Sequence, residues 1–194
     1  MKERGIKMQH LGTKRIETDR LVLRQFTEDD AVAMFKNYAN DSEVTRYLSW
    51  PAHVSVEVSK GVLNEWISQY DNKNFYVWAI ILKENGDEPI GSISVVRHDN
   101  KVESVTIGYC IGKKWWQQGI TSEALLELIR FFFDEVSINR IEAYHDIRNQ
   151  NSGKVMAKCG MQYEGTLRET NVNNQGICDM AVYGILSKDM SGIN

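Results

Sequence analysis

The sequence predicts a single α+β domain, and three observations carry that prediction. Strand-like segments follow one another between residues 75 and 111, with short turns between them. A long, mostly apolar helix pattern then covers about residues 120–136, and a hairpin pattern closes the chain. At 194 residues the chain is long enough for one substantial core, and it shows no internal repeat or change in composition.

The first part of the chain alternates between strand and helix patterns. Residues 20–26 alternate between apolar and polar side chains, as a first strand does. Thr27 and Asp30 then resemble a capping box, which opens a helix. After a break at Pro51, apolar residues at helical spacing predict a second helix over about residues 56–70.

A meander and a central helix follow. Strands at 75–83, 89–98 and 102–111 are joined by turn sequences, which predicts an antiparallel arrangement. The helix after them, Ile120–Val136, has one polar stripe, made of Glu123, Glu127, Arg130 and Asp134. The rest of its surface is apolar, so most of the helix is expected to be buried against a sheet.

Three further patterns complete the chain. Residues 140–145 read as a short strand, and the residues from Asn149 favour the start of a helix that runs to Lys158. Residues 161–168 and 177–186 form the closing hairpin across a turn rich in asparagine. The sequence therefore predicts about seven strands and four longer helices.

Composition excludes several classes of function. The net charge is −3, so no basic field is available for nucleic acid or an anionic membrane. No apolar stretch approaches the ~20 residues of a membrane span, and the charged start is unlike a signal peptide. The three cysteines are Cys110, Cys159 and Cys178, and their wide spacing favours reduced thiols in a cytoplasmic protein. No metal-binding spacing is present, so we expect no metal.

The loop at residues 115–124 is the clearest candidate for a site. It lies between the third meander strand and the central helix, and it contains Gly119. A glycine loop at a helix start presents free backbone N–H groups and the positive end of the helix dipole. This arrangement suits a phosphate or pyrophosphate group. The loop matches neither of the common nucleotide-binding glycine motifs, so an ordinary strand-to-helix connection is an equal alternative.

The order of several motifs resembles the GNAT acyltransferases, within them the RimJ/RimL-type branch that acetylates protein N-terminal amines. The resemblance extends from about Thr18 to Met190, with 1–18 as a leader, expected to be loosely held, and 19–190 as the acetyltransferase domain. It implies a central mixed, largely antiparallel twisted sheet of about seven strands, flanked by helices and splayed in the middle. The residues that carry it are Thr18–Arg24, Ile107–Tyr109, Trp116–Ala124, Asn149–Ser152, Cys159–Gly165, Leu167, Arg168, Asp179 and Tyr183.

The resemblance implies acetyl-CoA as the co-substrate. The helix-start loop would bind its pyrophosphate through backbone N–H groups, although Gln117 and Thr121 replace the small residues usual in the family. The pantetheine arm would lie beside the splayed strand and pair with Asn149, whose alternative role is to cap the next helix. A backbone N–H near Tyr109 and Cys110 would polarise the thioester carbonyl. The residues expected to bind acetyl-CoA are Ile107, Tyr109, Cys110, Ile111, Trp116, Gln117, Gln118, Gly119, Ile120, Thr121, Ser122, Asn149 and Ser152.

The resemblance also implies an acid for the departing thiolate. The tyrosine that many family members use is replaced here by Met156, and in this branch a serine at the position of Ser152 takes over. Ser152 is therefore the candidate acid, unless it only caps a helix. Tyr163 is a second candidate, unless it is a core residue.

The base is less clear, because Thr106 stands where the branch often has a glutamate and Glu103 is the nearest alternative. An α-amine with pKa about 8 needs less help from a base than a lysine near 10.4, so the acceptor is expected to be a peptide N-terminus. Cys110 could in principle form an acetyl-cysteine, but it has no nearby histidine and the family transfers directly.

The sequence does not decide which amine is the acceptor or what the oligomeric state is. Trp50, His53 and Trp66 are expected to wall the acceptor side, because family members vary there. A polyamine, an amino acid or an antibiotic is an alternative acceptor to a peptide. Two other classes of function also stay open, a non-catalytic acyl-CoA sensor and a purely structural domain. The resemblance allows a homodimer.

Overall fold

The computed structural model describes residues 8–192 and contains one eight-stranded sheet in the order β1-β2-β3-β4-β5-β6-β8-β7. Neighbouring strands are antiparallel except β5 and β6, which are parallel. The strands are β1 Ile16–Glu17, β2 Leu21–Arg24, β3 Val77–Leu82, β4 Pro89–Asp99, β5 Ser104–Ile111, β6 Arg140–Asp146, β7 Gln162–Asn173 and β8 Gly176–Leu186.

Helices cover both faces of the sheet. The α-helices are α1 Ala31–Met34, α2 Ser42–Thr45, α3 Val56–Gln69, α4 Ile120–Phe131 and α5 Gln150–Lys158. Short 3-10 turns lie at Glu28–Asp30, Lys83–Asn85, Lys113–Trp115 and Ser187–Gly192, and π-helical turns extend α1 over Phe35–Ala39 and α4 over Phe132–Val136. Among the described helices, none combines the length and apolar character that a membrane crossing needs.

The sheet separates two hydrophobic cores because side chains alternate along each strand. All six residues of β3 are buried. Trp78 and Ile80 belong to the core that includes α4 and α5, whereas Val77 and Ala79 belong to the core that includes α1 and α3. A strand covered on both faces reads as a continuous apolar run, and β3 has that sequence.

The predicted fold class is confirmed, with three differences in detail. The sheet has eight strands, since residues 16–17 add a short strand to β2. The central helix is α-helical only to Phe131 and ends as a π-turn. β7 extends to Asn173, five residues beyond its predicted end, because two register shifts and a positive φ at Glu169 let the hairpin continue through polar residues.

The end of the predicted leader is packed against the domain. Thr13 is buried and accepts a hydrogen bond from the Val77 N–H at 3.0 Å. The Trp78 indole N–H donates to the Lys14 carbonyl at 2.6 Å. The described part of the leader, from residue 8, is therefore held by β3 rather than loose, because polar side chains there satisfy the end of a buried strand. Residues 1–7 of that leader lie outside the described residues.

The sheet opens between β5 and β6. Their pairing runs from Ser104 opposite Arg140 to Ile107 opposite Ala143. β5 then continues to Ile111 and β6 to Asp146 with no further partners between the two strands. The splay expected in the middle of the sheet is confirmed, and it leaves a gap in which backbone groups of β5 are open.

Candidate functional site

A cleft of about 490 Å³ passes through the opening between β5 and β6. It is bounded by β5, by α2 and the residues after it, by the loop before α4, and by the start of α5. Its lining residues are Glu43, Val44, Arg46, Tyr47, Leu48, Tyr109, Cys110, Ile111, Trp116, Gln117, Thr121, Arg148, Asn149, Gln150, Asn151, Ser152 and Val155. A volume in this range suits a small-molecule ligand.

The loop before α4 is shaped by two residues with positive φ. Gln117 has φ 61° and Gly119, the N-cap of α4, has φ 77°. The first amides of α4 have no partner within the helix, so they are available to an anion. The Trp116 indole N–H donates to the Ile111 carbonyl at 2.9 Å and holds the loop against the end of β5.

Two positively charged side chains lie beside this loop. A Cβ placed on Gly119 would lie 3.7 Å from both the Arg20 Nη2 and the Lys158 Nζ. Arg20 also donates to the Gln118 carbonyl at 3.2 Å and forms an ion pair with Glu123 at 2.5 Å. Neither cation was identified from the sequence, because both are remote from the loop along the chain.

The direction of the β5 backbone decides which amides face the gap. A Cβ placed on Gly91 of β4 would lie 2.4 Å from the Cys110 carbonyl, so that carbonyl points towards β4. Successive residues of a strand direct their backbone groups to opposite sides. The amides of Tyr109 and Ile111 therefore face the opening, and the amide of Cys110 faces β4.

Tyr109 and Ser152 connect the two sides of the opening. The Tyr109 hydroxyl donates to the Ser152 carbonyl at 3.0 Å and lies 3.0 Å from the Ser152 Oγ. The phenol has one proton, so the Ser152 hydroxyl donates to the phenol oxygen when the phenol bonds the carbonyl. Burial raises the pKa of Tyr109 well above its ordinary value, which keeps the phenol protonated.

The two alternative roles at the start of α5 do not match the observed geometry. Asn149 is the N-cap of α5, but its side chain makes no capping hydrogen bond and lines the cleft. Ser152 is the third residue of α5, and its side chain contacts Tyr109 rather than capping the helix. Both side chains are therefore available to the cleft.

Cys110 lines the cleft as a neutral thiol. Its Sγ lies 3.4 Å from the Ser92 Oγ, and burial raises the pKa of the thiol. A raised pKa leaves little thiolate, the form that attacks an acyl group. The geometry therefore gives no support to a covalent acetyl-cysteine. Among the described residues, no group of three potential metal ligands comes together.

The structure brings eight of the predicted site residues into the cleft: Tyr109, Cys110, Ile111, Trp116, Gln117, Thr121, Asn149 and Ser152. Four others, Gln118, Gly119, Ile120 and Ser122, lie in the adjoining helix start. Ile107 is buried in the core below the opening.

The remaining predicted residues lie elsewhere. Glu103 is in the turn before β5, at the opposite end of that strand from Tyr109. Tyr163 is 57% exposed on β7, with its hydroxyl 2.8 Å from the Thr166 Oγ1. Neither lines the cleft, because Glu103 is at the far end of β5 and Tyr163 is on β7, at the edge of the sheet. The geometry gives no support to either as a catalytic residue.

The three residues predicted to wall the acceptor side lie outside the cleft. Trp66 packs against Phe26 in the core under α3, with ring centroids 5.3 Å apart. The His53 Nδ1 lies 2.8 Å from the Ser59 Oγ, and its ring lies beside Trp50 at 5.4 Å. None of the three lines the cleft, because Trp66 is part of α3, His53 contacts Ser59 of α3, and Trp50 packs beside His53.

Residues 43–48, a segment with no motif in the sequence, line that side of the cleft instead. The tip of the β7–β8 hairpin supports it. The Asn174 Nδ2 donates to the carbonyls of Thr45 and Trp50, each at 2.8 Å, and the Asn174 N–H donates to the Leu48 carbonyl at 3.2 Å. In the sequence only the asparagine-rich turn suggests such a contact, and it does not indicate which segment the asparagines would bind.

An anion-binding helix start beside an open strand edge suits an acyl group carried on a long amide-containing arm that ends in phosphates. The class of protein defined by this combination is the acyl-CoA-dependent acyltransferases. A family model described as an acetyltransferase (GNAT) domain matches residues 20–162. The chain belongs to the GNAT family and is an N-acetyltransferase that uses acetyl-CoA.

Individual relatives agree with this family. The uncharacterized N-acetyltransferase YoaA of Bacillus subtilis is 33% identical over 171 residues, covering 88% of this chain and 96% of YoaA. The ribosomal protein uS5-alanine N-acetyltransferase of Escherichia coli is 30% identical over 162 residues, covering 80% of this chain and 81% of that protein, which confirms the predicted RimJ/RimL-type resemblance. A GNAT acetyltransferase structure from Bacillus anthracis has a TM-score of 0.78 and 25% identity, covering 90% of this chain and 99% of that chain.

Proposed function

We propose that this enzyme acetylates the α-amine of a protein N-terminus by direct transfer from acetyl-CoA. One observation carries the choice of acceptor. The only carboxylate among the described lining residues is Glu43, and it is paired with Lys113. A cleft without a strong base favours an amine with pKa about 8, which is partly neutral at pH 7, over a lysine near 10.4. The similarity to a uS5-alanine N-acetyltransferase supports the same acceptor class.

No base is supplied by the residues near Thr106, the position where the RimJ/RimL-type branch often has a glutamate. Thr106 stands beside Glu142 in the β5–β6 register. Hydrogen bonds from Arg140 and Tyr144 outweigh its burial and lower the pKa of Glu142, so this carboxylate is a poor proton acceptor. The protein's contribution is therefore placement of the amine rather than its deprotonation.

The binding part of the proposal rests on open backbone groups. Amides at the start of α4, with Arg20 and Lys158 beside them, would hold the pyrophosphate. The gap-facing amides of Tyr109 and Ile111 would pair with the pantetheine arm or polarise the thioester carbonyl. Asn149 would bond an amide of the same arm.

Ser152 is the proposed acid. During transfer the amine nitrogen bonds the thioester carbon, the carbon–sulfur bond breaks, and the nitrogen gives its extra proton to water. The Ser152 hydroxyl would give its proton to the departing thiolate sulfur and would recover one through the Tyr109 hydroxyl, 3.0 Å away.

The proposed acceptor can be tested with matched peptides. We expect turnover, measured as free CoA thiol, on a peptide with a free α-amine and none on the same peptide with an acetylated N-terminus and an internal lysine. Polyamines and aminoglycosides serve as the small-molecule comparison. Turnover confined to those amines would overturn the N-terminal proposal, and acetyl-CoA binding without turnover on any amine would favour the sensor.

Replacing Ser152 tests the proposed acid. We expect Ser152→Ala to lower kcat by about 100-fold, the lower end of general acid catalysis, with little change in acetyl-CoA affinity. Calorimetry measures the affinity, and thiol release measures kcat. Ser68→Ala is a matched control, because the Ser68 hydroxyl bonds only within its own helix, to the Glu65 carbonyl. A full-activity Ser152→Ala enzyme would remove Ser152 from the mechanism.

A further inference from the structure

The cleft has two different sides because it passes through the sheet. Tyr109 and Ile111 belong to the α4 and α5 side, with the helix start that is proposed to hold the pyrophosphate. Cys110 belongs to the opposite side, with the core that includes Val44 of α2. An acceptor that meets the thioester in the opening therefore approaches from the α2 side, along residues 43–48.

Two arginines line this approach. The Arg46 guanidinium lies 5.4 Å from the centre of the Tyr47 ring. No carboxylate of the described residues is within ion-pair distance of Arg46, whereas the lining Glu43 is already paired with Lys113. Arg148 lines the same cleft from the loop after β6. The approach therefore presents positive charge that is not fully compensated at its surface.

The Arg148 side chain is held in place by a buried carboxylate. The Asp146 carboxylate is fully buried and accepts from the Arg148 Nε at 2.9 Å and Nη2 at 2.6 Å. It also accepts from the Asn173 Nδ2 at 2.7 Å, at the hairpin tip. This pairing uses one edge of the guanidinium, while the side chain stays 46% exposed. A planar guanidinium fixed along one edge offers its remaining N–H groups in a set direction.

We propose that Arg46 and Arg148 select acceptors that carry a side-chain carboxylate close to the α-amine that is acetylated. The inference rests on the proposed function, in which the acceptor supplies an α-amine, and it names the chemistry that stands beside that amine. A protein N-terminus with an acidic residue in its first positions has this chemistry, and so does a free amino acid with an acidic side chain. The two sources share one recognition feature and are separated by the test.

The test compares acceptors that differ in one charge. Peptides beginning Ala-Glu and Ala-Gln, and the free amino acids glutamate and glutamine, are assayed with the full-length enzyme. We expect kcat/KM to be about tenfold higher for the acidic member, mostly through KM, since a charge-assisted hydrogen bond is gained. A preference within the peptides only identifies the protein source, and one within the amino acids only identifies the small-molecule source.

Three variants connect the preference to the arginines. Arg46→Gln should reduce the Glu-over-Gln preference to about twofold. Arg148→Gln alone would leave a buried carboxylate without its partner, so it is combined with Asp146→Asn. This double variant should also reduce the Glu-over-Gln preference to about twofold. Arg130→Gln on the exposed side of α4 is the control and should keep the preference. Acetyl-CoA affinity should be unchanged in all three.

The outcomes separate the two proposals. Turnover on peptides, with equal kcat/KM for the Glu and Gln members of both pairs, overturns the arginine proposal and leaves the N-terminal function intact. No turnover on any peptide overturns the N-terminal function, and the amino acid pair then decides the arginine proposal. If neither pair turns over, both proposals fail. A loss of acetyl-CoA affinity in Arg46→Gln would assign that arginine to the co-substrate instead.

Discussion

At the scale of single residues, the contact between Tyr109 and Ser152 connects a strand to a helix across the opening. Ser152 could be selected from the sequence because a motif places it. The partner role of Tyr109 could not, since 43 residues separate the two and only the fold brings their hydroxyls together. The same limit applies to Arg148, whose side chain is oriented by a buried carboxylate that also contacts a hairpin tip.

Removing the Tyr109 hydroxyl tests its positioning role. We expect Tyr109→Phe to lower kcat about fivefold, the equivalent of one hydrogen bond near 1 kcal/mol, with acetyl-CoA affinity retained. The decrease should appear in kcat, with the KM for the acceptor unchanged, because Ser152 loses its proton source while both substrates remain bound. Tyr163→Phe is the control, since its exposed hydroxyl contacts only Thr166. A higher KM for the acceptor or a lower melting temperature, with kcat unchanged, would indicate that the hydroxyl acts through packing alone.

At the scale of elements, the order of strands and helices followed from periodicity and turn residues, whereas long-range placement did not. β3, α4 and α5 match their predicted positions within two residues, apart from the π-turn that ends the central helix. The β7–β8 hairpin was predicted, but not its reach to α2, because amide side chains such as Asn174 do not encode their partners. The cleft lining at residues 43–48 was missed for the same reason.

The start of α4 gives a prediction at this scale. Gly119→Ala should weaken acetyl-CoA binding about tenfold, because a left-handed conformation costs a non-glycine residue roughly 1–2 kcal/mol. The added Cβ meets its neighbours only at 3.7 Å, so strain rather than a clash is responsible. Gly86→Ala, at φ 84° in a remote turn, should lower thermal stability and leave affinity unchanged. Equal affinities for both variants in calorimetry would contradict the role of the loop.

At the scale of the whole molecule, the buried Asp146 joins three parts of the chain: β6, the loop to α5 and the hairpin tip. Hydrogen bonds from Arg148 lower the pKa of Asp146 well below the usual range of an aspartate. A carboxylate with a depressed pKa stabilises the fold fully above its unfolded value, and this contribution is lost as the pH falls below it.

Acid unfolding should report that contribution. The wild-type free energy of unfolding should decrease between about pH 5 and pH 2, and Asp146→Asn combined with Arg148→Gln should flatten the decrease. Urea titrations at several pH values measure it. Asp71→Asn, in an exposed turn, should leave the slope unchanged. A double variant with the wild-type slope would show that other carboxylates dominate.

The open edge between β5 and β6 also has a consequence for the lifetime of the protein. If the pantetheine arm completes the backbone pairing there, the co-substrate is a missing strand of the sheet. Saturation at 100 times Kd would then add about 2.7 kcal/mol to folding, and amides of Tyr109 and Ile111 would exchange slowly with deuterium only in the bound enzyme. Proteolytic turnover of this enzyme would in that case depend on the supply of acetyl-CoA.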